Sequence, residues 1–499
     1  MKIVPLLGAG MFGKDKYVTA ERRLNCYYEL RADADKSQIV VYGTPGLTPL
    51  CSIPGVYGVA ARAMWGNQSS LYVIAGPLFQ KIDLGGNSLF SAGLATPSGL
   101  CAFAPSTTEL MMTDGVIGYV YNFQTQAFAQ QSAGWFPNGA KTCTYVSGYF
   151  VAENPGTPYC GVSGGSGALT GDATSFIGAV QRPGDTVLAV DNLAGNLVIF
   201  CTQHTEFWQN VGTPYPQPFA PILSATNLWG LAAIWSRAQV DQALIFLGVT
   251  IQGAVQAVRI DGYLPRVVST PDQDAIWNAP GFITSDAVAL TYQQEAHPMY
   301  QITFPSMGRS FLLDCSTGVW SEVQTGVTND YAQRHIGNLS CYTGLGGSKT
   351  VISDYAGSLL YTMNPNVYTD NGNIIPRELI TKHSNNSFNR IGSSLVYFDF
   401  DVGSGVAGTP GANPYVMIQV SRNNGNDWGP QIWKQLGNSA YYPQAGNPQT
   451  PGNYRNRIIK RRNGSGRDFV YRIRMLSPSK FCVTAVAVGT RSRRQNTQT

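Results

Sequence analysis

Gly8-Ala9-Gly10-Met11-Phe12-Gly13 spells GxGxxG behind the apolar residues Ile3, Val4, Leu6 and Leu7. A dinucleotide site needs those glycines where a strand turns into a helix, so that the pyrophosphate meets the helix N-terminus. Here Pro5 interrupts the strand, the following KDKYVTAERRLN carries no apolar helix stripe, and no parallel βαβ pattern follows. A flexible N-terminal arm is expected instead. Gly161-Val162-Ser163-Gly164-Gly165 matches GxSxG, but a nucleophile elbow requires a buried strand before the serine and a helix after it. The surrounding GVSGGSGALTG reads as a loop. His204, His297, His335 and His383 have no motif link to Ser163 and are too scattered for a metal motif. Gly344-Leu345-Gly346-Gly347-Ser348-Lys349 lacks the spacing of a phosphate loop and reads as a turn between strands. No catalytic residue, metal or cofactor is expected.

Ser421-Arg422-Asn423-Asn424-Gly425-Asn426-Asp427-Trp428 is similar to the S-x-D-x-G-x-x-W box of sialidase propellers, with Asn423 in place of the aspartate. That box is a hairpin turn, not an active site. A glycosidase would need two carboxylates about 5–9.5 Å apart, and the low acid content argues against such a pair.

The informative constellation is basic. Arg455, Arg457, Lys460, Arg461 and Arg462 form a cluster, followed by Arg467, Arg472, Arg474 and Lys480, with Arg491, Arg493 and Arg494 on a polar tail. From residue 455 onward twelve bases face one acid, Asp468, a local charge of +11, whereas residues 1–454 hold 22 bases and 28 acids, a net of −6. Such a segment fits DNA phosphates or an acidic protein ring. Aromatics that would stack single-stranded bases are sparse within it, which favours a protein partner. The bland alternative is a solvated face with a loose tail.

Those residues need a scaffold, and composition restricts it. Charged residues are 13% of the 499, about half the usual share. The 55 glycines and 29 prolines are spread evenly, which excludes a coiled coil, a helical solenoid and a disordered scaffold. A surface so poor in charge suits extensive coverage by partners. Nine cysteines without a CxxC pair read as reduced thiols of a cytoplasmic environment. The start has one lysine and a short apolar run broken by Pro5, Gly8 and Gly10, so no signal peptide is expected. The uncharged stretch around residues 207–236 contains Pro214, Pro216, Pro218 and Pro221, so it is no membrane span.

Short β-rich runs recur between Gly/Pro/Asn/Ser turns: 71–82, 109–122, 148–162, 196–208, 243–248, 299–315 and 350–363. Several share one grammar, an apolar run, a tight turn and a second run ending in an aromatic. One hairpin per 40–50 residues is the mark of propeller blades. The reading is an all-β chain: an irregular β-propeller over 46–365 with about seven blades (six to eight fit) and an N-terminal arm over 1–45. The rest differs. Val396, Phe398, Phe400 and Val402 alternate with Tyr397, Asp399 and Asp401; Val416, Ile418 and Val420 follow suit, as do Phe469, Tyr471, Ile473 and Met475. Period-two alternation describes half-buried strands, giving a β-sandwich over 366–488 and a basic tail over 489–499. One short helix is expected, around 225–236.

Several of these stretches, in order along nearly the whole chain, resemble the packaged-DNA stabilisation proteins of short-tailed bacteriophages, also called tail hub or nozzle proteins. They are ERRLNCYYE with YGTPGL (42–47), residues 55–79, 182–208, 227–248, DYAGSLLYTM (354–363), SRNNGNDWG (421–429) and 456–489. Departures fall in loops, at 209–221 and 403–414. The resemblance implies a virion tail component assembled in the host cytoplasm, a propeller with an added β domain, and no enzymatic activity. It implies a hexameric ring below the adaptor (head-completion) protein of the portal, in contact with a tail needle or tailspike. Packaged double-stranded DNA would be retained there and conducted at ejection without sequence-specific binding. The competing expectations are a propeller glycosidase or a receptor-binding module for host surface polysaccharide.

Overall fold

A computed structural model of the chain describes residues 2–8, 10, 15, 17–31, 38–165, 167–178, 184–327, 333–386, 389–401, 411, 414–436 and 457–492. Four-stranded antiparallel sheets follow one another at 61–93, 102–130, 143–178 and 187–221, then a five-stranded one at 230–267. A sixth four-stranded unit spans 288–323. The seventh takes Gly337–Thr343, Lys349–Asp354 and Leu359–Asn364 from its own stretch and its outermost strand, Gly46–Ser52, from the other end of the propeller. First strands of neighbouring blades pack around a common axis, and that of the seventh blade returns to that of the first. This is a closed seven-bladed β-propeller. Because Leu359–Asn364 pairs antiparallel with Gly46–Ser52, the ring cannot open without breaking that ladder, and no long edge is exposed at the seam.

Inner blade strands are buried on both faces, so they read as continuous apolar runs rather than as alternation. Leu71–Ala75 and most of Ala243–Val249 are buried throughout. Separate apolar clusters fill the gaps between blades. Tyr72, Phe79, Leu110 and Tyr121 join the first to the second, Val151, Cys160, Leu197 and Ile199 join the third to the fourth, and Leu71, Val73, Val351 and Leu360 close the seventh onto the first. Each fully buried side chain of this size contributes about 1.5–3 kcal/mol. All nine cysteines are free.

The C-terminal unit is a two-sheet sandwich. One sheet runs, by neighbour, Cys26–Leu30, Ile39–Gly43, Cys482–Ser492, Ile391–Phe400 and Arg457–Gly466, with Lys2–Pro5 also paired to Cys482–Ser492. The other runs Arg22–Leu24, Arg377–Ile380, Asp468–Met475, Tyr415–Ser421 and Ile432–Gln435. Val396, Phe398 and Phe400 of the first sheet meet Val416, Ile418, Tyr471, Ile473 and Met475 of the second in one core, as the alternation requires.

Four expectations need correction. The described part of residues 1–45 is not an arm. It gives two strands and an edge segment to the first sandwich sheet, and Arg22–Leu24 pairs on one side with Arg377–Ile380 and on the other, in parallel, with the last strand of the sixth blade. Blade and sandwich sheet are therefore one continuous ten-stranded sheet. The stretch reads as an arm because, apart from the local pairing of Cys26–Leu30 with Ile39–Gly43, its partners lie some 300 residues or more away. Residues 369–374 form a hairpin on the seventh-blade sheet, not part of the sandwich, and residues 489–492 continue a strand rather than a tail. The helix expected at 225–236 is two single 3₁₀ turns, Leu223–Ala225 and Ile234–Ser236, around a short strand at Gly230–Leu231. The chain lies so close to the Thr202 carbonyl that a side chain at Gly230 would strike it. Among the described residues the α-helix is Pro271–Trp277 instead. Thr270 and Gln273 form its capping box and Pro271 opens its first turn, a signal visible in the sequence as T-P-D-Q.

Candidate interaction site: the basic edge of the sandwich

Among the described residues, each sandwich sheet ends at an unpartnered strand on the same side: Ile432–Gln435 for one and the ten-residue Arg457–Gly466 for the other. Between them opens a groove of about 560 Å³ lined by Ile432, Lys434, Gln435, Arg457, Ile458, Ile459, Lys460 and Arg461. Three isoleucines and four cations line it, and the lining includes no carboxylate among the described residues.

The structure divides the basic residues singled out by sequence into two sets. Arg457, Lys460, Arg461 and Arg462 lie along the edge strand and Arg467 just beyond it; Arg461, Arg462 and Arg467 are exposed. Arg457 is half exposed and forks onto Asp399 at 2.8 and 3.0 Å. The Lys460 ammonium donates to the Asn463 side-chain oxygen at 2.8 Å. Partial burial, with Arg422 nearby, holds that ammonium below its ordinary pKa. Arg455, Arg493 and Arg494 lie outside the described residues.

Arg472 and Arg474 are partly buried, their side chains 12% and 23% exposed. They alternate with Tyr471, Ile473 and Met475 on the opposite face, as the pattern says, but that face is covered. Glu378, fully buried, accepts from Arg22 at 2.9 Å, Arg472 at 2.6 Å and Arg474 at 2.9 Å. Arg22 also reaches Glu322 at 2.7 Å, and Glu322 receives Arg309 at 3.0 Å. Burial alone would raise the Glu378 carboxyl; the three guanidiniums override it and hold it below the ordinary carboxylate value. The cluster therefore ties blade to sandwich. Lys480 pairs with Asp401 at 2.5 Å.

Two edge residues escaped the charge clustering. Lys434 sits on the opposite rim, and Arg422 packs against Gly464 and Gly466. Each is an isolated base in its own stretch of sequence, and only the sheet pairing brings it to the others.

The remaining motifs are structural. The Ser163 hydroxyl is buried, accepting from the Phe150 backbone N–H at 2.8 Å and donating to the Gly164 carbonyl at 3.1 Å. His204 bridges Asp185 at 2.5 Å and Glu206 at 2.8 Å; burial lowers its pKa, and the two carboxylates more than restore it. His297 meets Asp314 and His383 meets Asp468, both at 2.9 Å. Ser421 and Asn423 hold the 421–428 box as a turn, with Asn424 and Gly425 in the left-handed region. Of the GxGxxG run, Ala9 and residues 11–13 lie outside the described residues. At one mouth of the propeller axis, a cavity of about 700 Å³ is lined by residues including Trp65, Gln239, Gln293, Ser340 and Tyr342, with Asp241 its one carboxylate among the described residues.

A closed propeller fused to a basic-edged sandwich places the chain in the β-propeller class. The chain belongs to the family described as Bacteriophage P22 Gp10, beta-propeller, whose model matches residues 12–368. It is thus a phage structural protein of the DNA-stabilisation kind, a virion component. No curated protein matches the sequence. Among solved structures, the extracellular domain of a putative one component system, BT4673 from B. thetaiotaomicron, is 9% identical with TM-score 0.41; the match covers 79% of this chain but 48% of that one. The Neurospora crassa Pan2 WD40 domain is 7% identical with TM-score 0.38, covering 63% of this chain and 95% of that one. The N-terminal domain of Nup159 is 9% identical with TM-score 0.40, covering 68% and 98%.

Proposed function

We propose that the chain is the hub of a short phage tail: a ring-forming protein, hexameric when assembled, seated below the adaptor on the portal. It lines the exit channel, retains the packaged genome and conducts it at ejection. The observation that supports this most, beside the family, is how charge is divided over the fold. Residues 46–365 carry ten bases and eighteen acids, a net of −8, whereas residues 428–499 carry thirteen bases and one acid. Phosphate affinity comes mainly from Lys and Arg, so a negative propeller lets DNA pass without sticking. Excess cations on the sandwich edge suit an acidic adaptor surface. Heterologous contacts between rigid propellers close into a ring when the rotation permits.

The test is native mass spectrometry of the protein alone and with its adaptor–portal complex. Six copies of 53.8 kDa joining the complex is the expected result. The double variant Arg461→Glu/Arg462→Glu, both exposed, should fold normally and fail to join. Normal joining by that variant refutes the docking role, and a self-assembled trimer that ignores the adaptor refutes the hub.

A further inference from the structure

We infer that the groove between Ile432–Gln435 and Arg457–Gly466 is a β-addition site for an extended acidic segment of a partner protein. Three independent observations converge there. Both strands bordering the groove are sheet edges, and the Arg457–Gly466 edge pairs only on its Ile391–Phe400 side among the described residues. Its outward N–H and C=O groups are therefore a template for one more strand, which main-chain hydrogen bonds would hold.

The second observation is charge. Lys434, Lys460 and Arg461 meet no described carboxylate, and Arg422 adds its repulsion to the burial that depresses the Lys460 pKa. Nor does the neighbouring sequence hold the remedy. Beyond Asp427, which pairs with Asn423 in its own turn, Asp468 is the one acid up to residue 499, and it meets His383. Like charges gathered on a half-buried strand cost stability unless a counter-charge arrives, and here the counter-charge comes from another molecule.

The third is the apolar part of the lining. Ile432 and Ile459 are partly exposed and line the groove beside the cations. A DNA backbone gains nothing from exposed isoleucines or from strand edges. An extended peptide alternating acidic with β-branched residues uses all three: its acids on the rim, its alternate side chains on the isoleucines, and its backbone on the edge.

This inference takes the partner to be a protein, as the hub reading does, but stands without that reading's ring or portal. The experiment is fluorescence anisotropy of the full-length protein with a labelled peptide Glu-Val-Glu-Val-Glu-Val-Glu. Controls are the Gln-for-Glu version, a version N-methylated at the valines, and a labelled 20-base-pair duplex. The acidic peptide should bind. Lys434→Glu and Arg461→Glu, at exposed positions, should each weaken it tenfold or more, and N-methylation should do the same at unchanged charge. Equal binding of the methylated peptide would overturn β-addition. Duplex binding as tight as the peptide's, or self-association of the protein abolished by Arg461→Glu, would overturn the choice of partner. Should the protein fail to join the portal complex while the peptide still binds as described, the hub reading falls and the groove stands.

Discussion

Replacing Glu378 by alanine should be among the most damaging single changes in the sandwich. The carboxylate is fully buried and receives three guanidiniums at 2.6–2.9 Å. Arg22 keeps a second partner in Glu322, whereas Arg472 and Arg474 both converge on Glu378. Removing one member of a buried ionic cluster strands the others, at a cost of about 3–5 kcal/mol. The figure belongs to the buried end of the range, since the Arg22 and Arg472 side chains are 3% and 12% exposed. For a unit of this size about 1 kcal/mol moves Tm by roughly 2–4 °C, so a fall on the order of 10 °C is expected. The assay is thermal unfolding followed by tryptophan fluorescence and calorimetry at pH 7. Because Arg22 lies on the strand shared by blade and sandwich, the sandwich transition should also separate from that of the propeller. A fall of less than about 3 °C, with one transition retained, would refute both the energetic argument and the coupling role.

Two further changes probe the propeller. Glu153 accepts from the Thr142 backbone N–H at 2.8 Å and its hydroxyl at 2.5 Å, yet burial pushes its carboxyl up to about 7 from 4.5. A raised folded-state value means the folded protein binds the proton more tightly. The associated stability, about 3 kcal/mol, is complete below pH 4.5 and lost as pH rises through 7. Glu153→Gln should flatten the decline in Tm between pH 5 and 8; an unchanged pH slope would discard the assignment. At Gly161 a Cβ would collide with the Trp135 carbonyl oxygen and sit 3.1 Å from Pro137. Gly161→Ala should therefore cost about 1–3 kcal/mol, whereas Gly93→Ala, which meets nothing within 4 Å, should leave Tm in place. Equal Tm values for the two would show that the close approach is not rigid.

Some of this protein was determined by sequence alone, because its signals are local. Tight turns between apolar runs specify hairpins, and a hairpin every 40–50 residues leaves a propeller as the arrangement that buries both faces of each blade. Alternation at 396–400, 416–420 and 469–475 likewise carries the sandwich core, since a strand's side chains face opposite ways whatever its partners. Partner choice was decided by tertiary structure. That Gly46–Ser52 closes the ring, and that Arg22–Leu24 welds blade to sandwich, depends on pairings across some 300 residues that no local pattern encodes. The same holds for charge. Arg461 and Arg474 stand in one basic run, and the sequence treats them alike; the fold gives one to solvent and the other to Glu378. An arginine's role is set by whether a buried carboxylate lies across from it, and sheet pairing alone brings that carboxylate there.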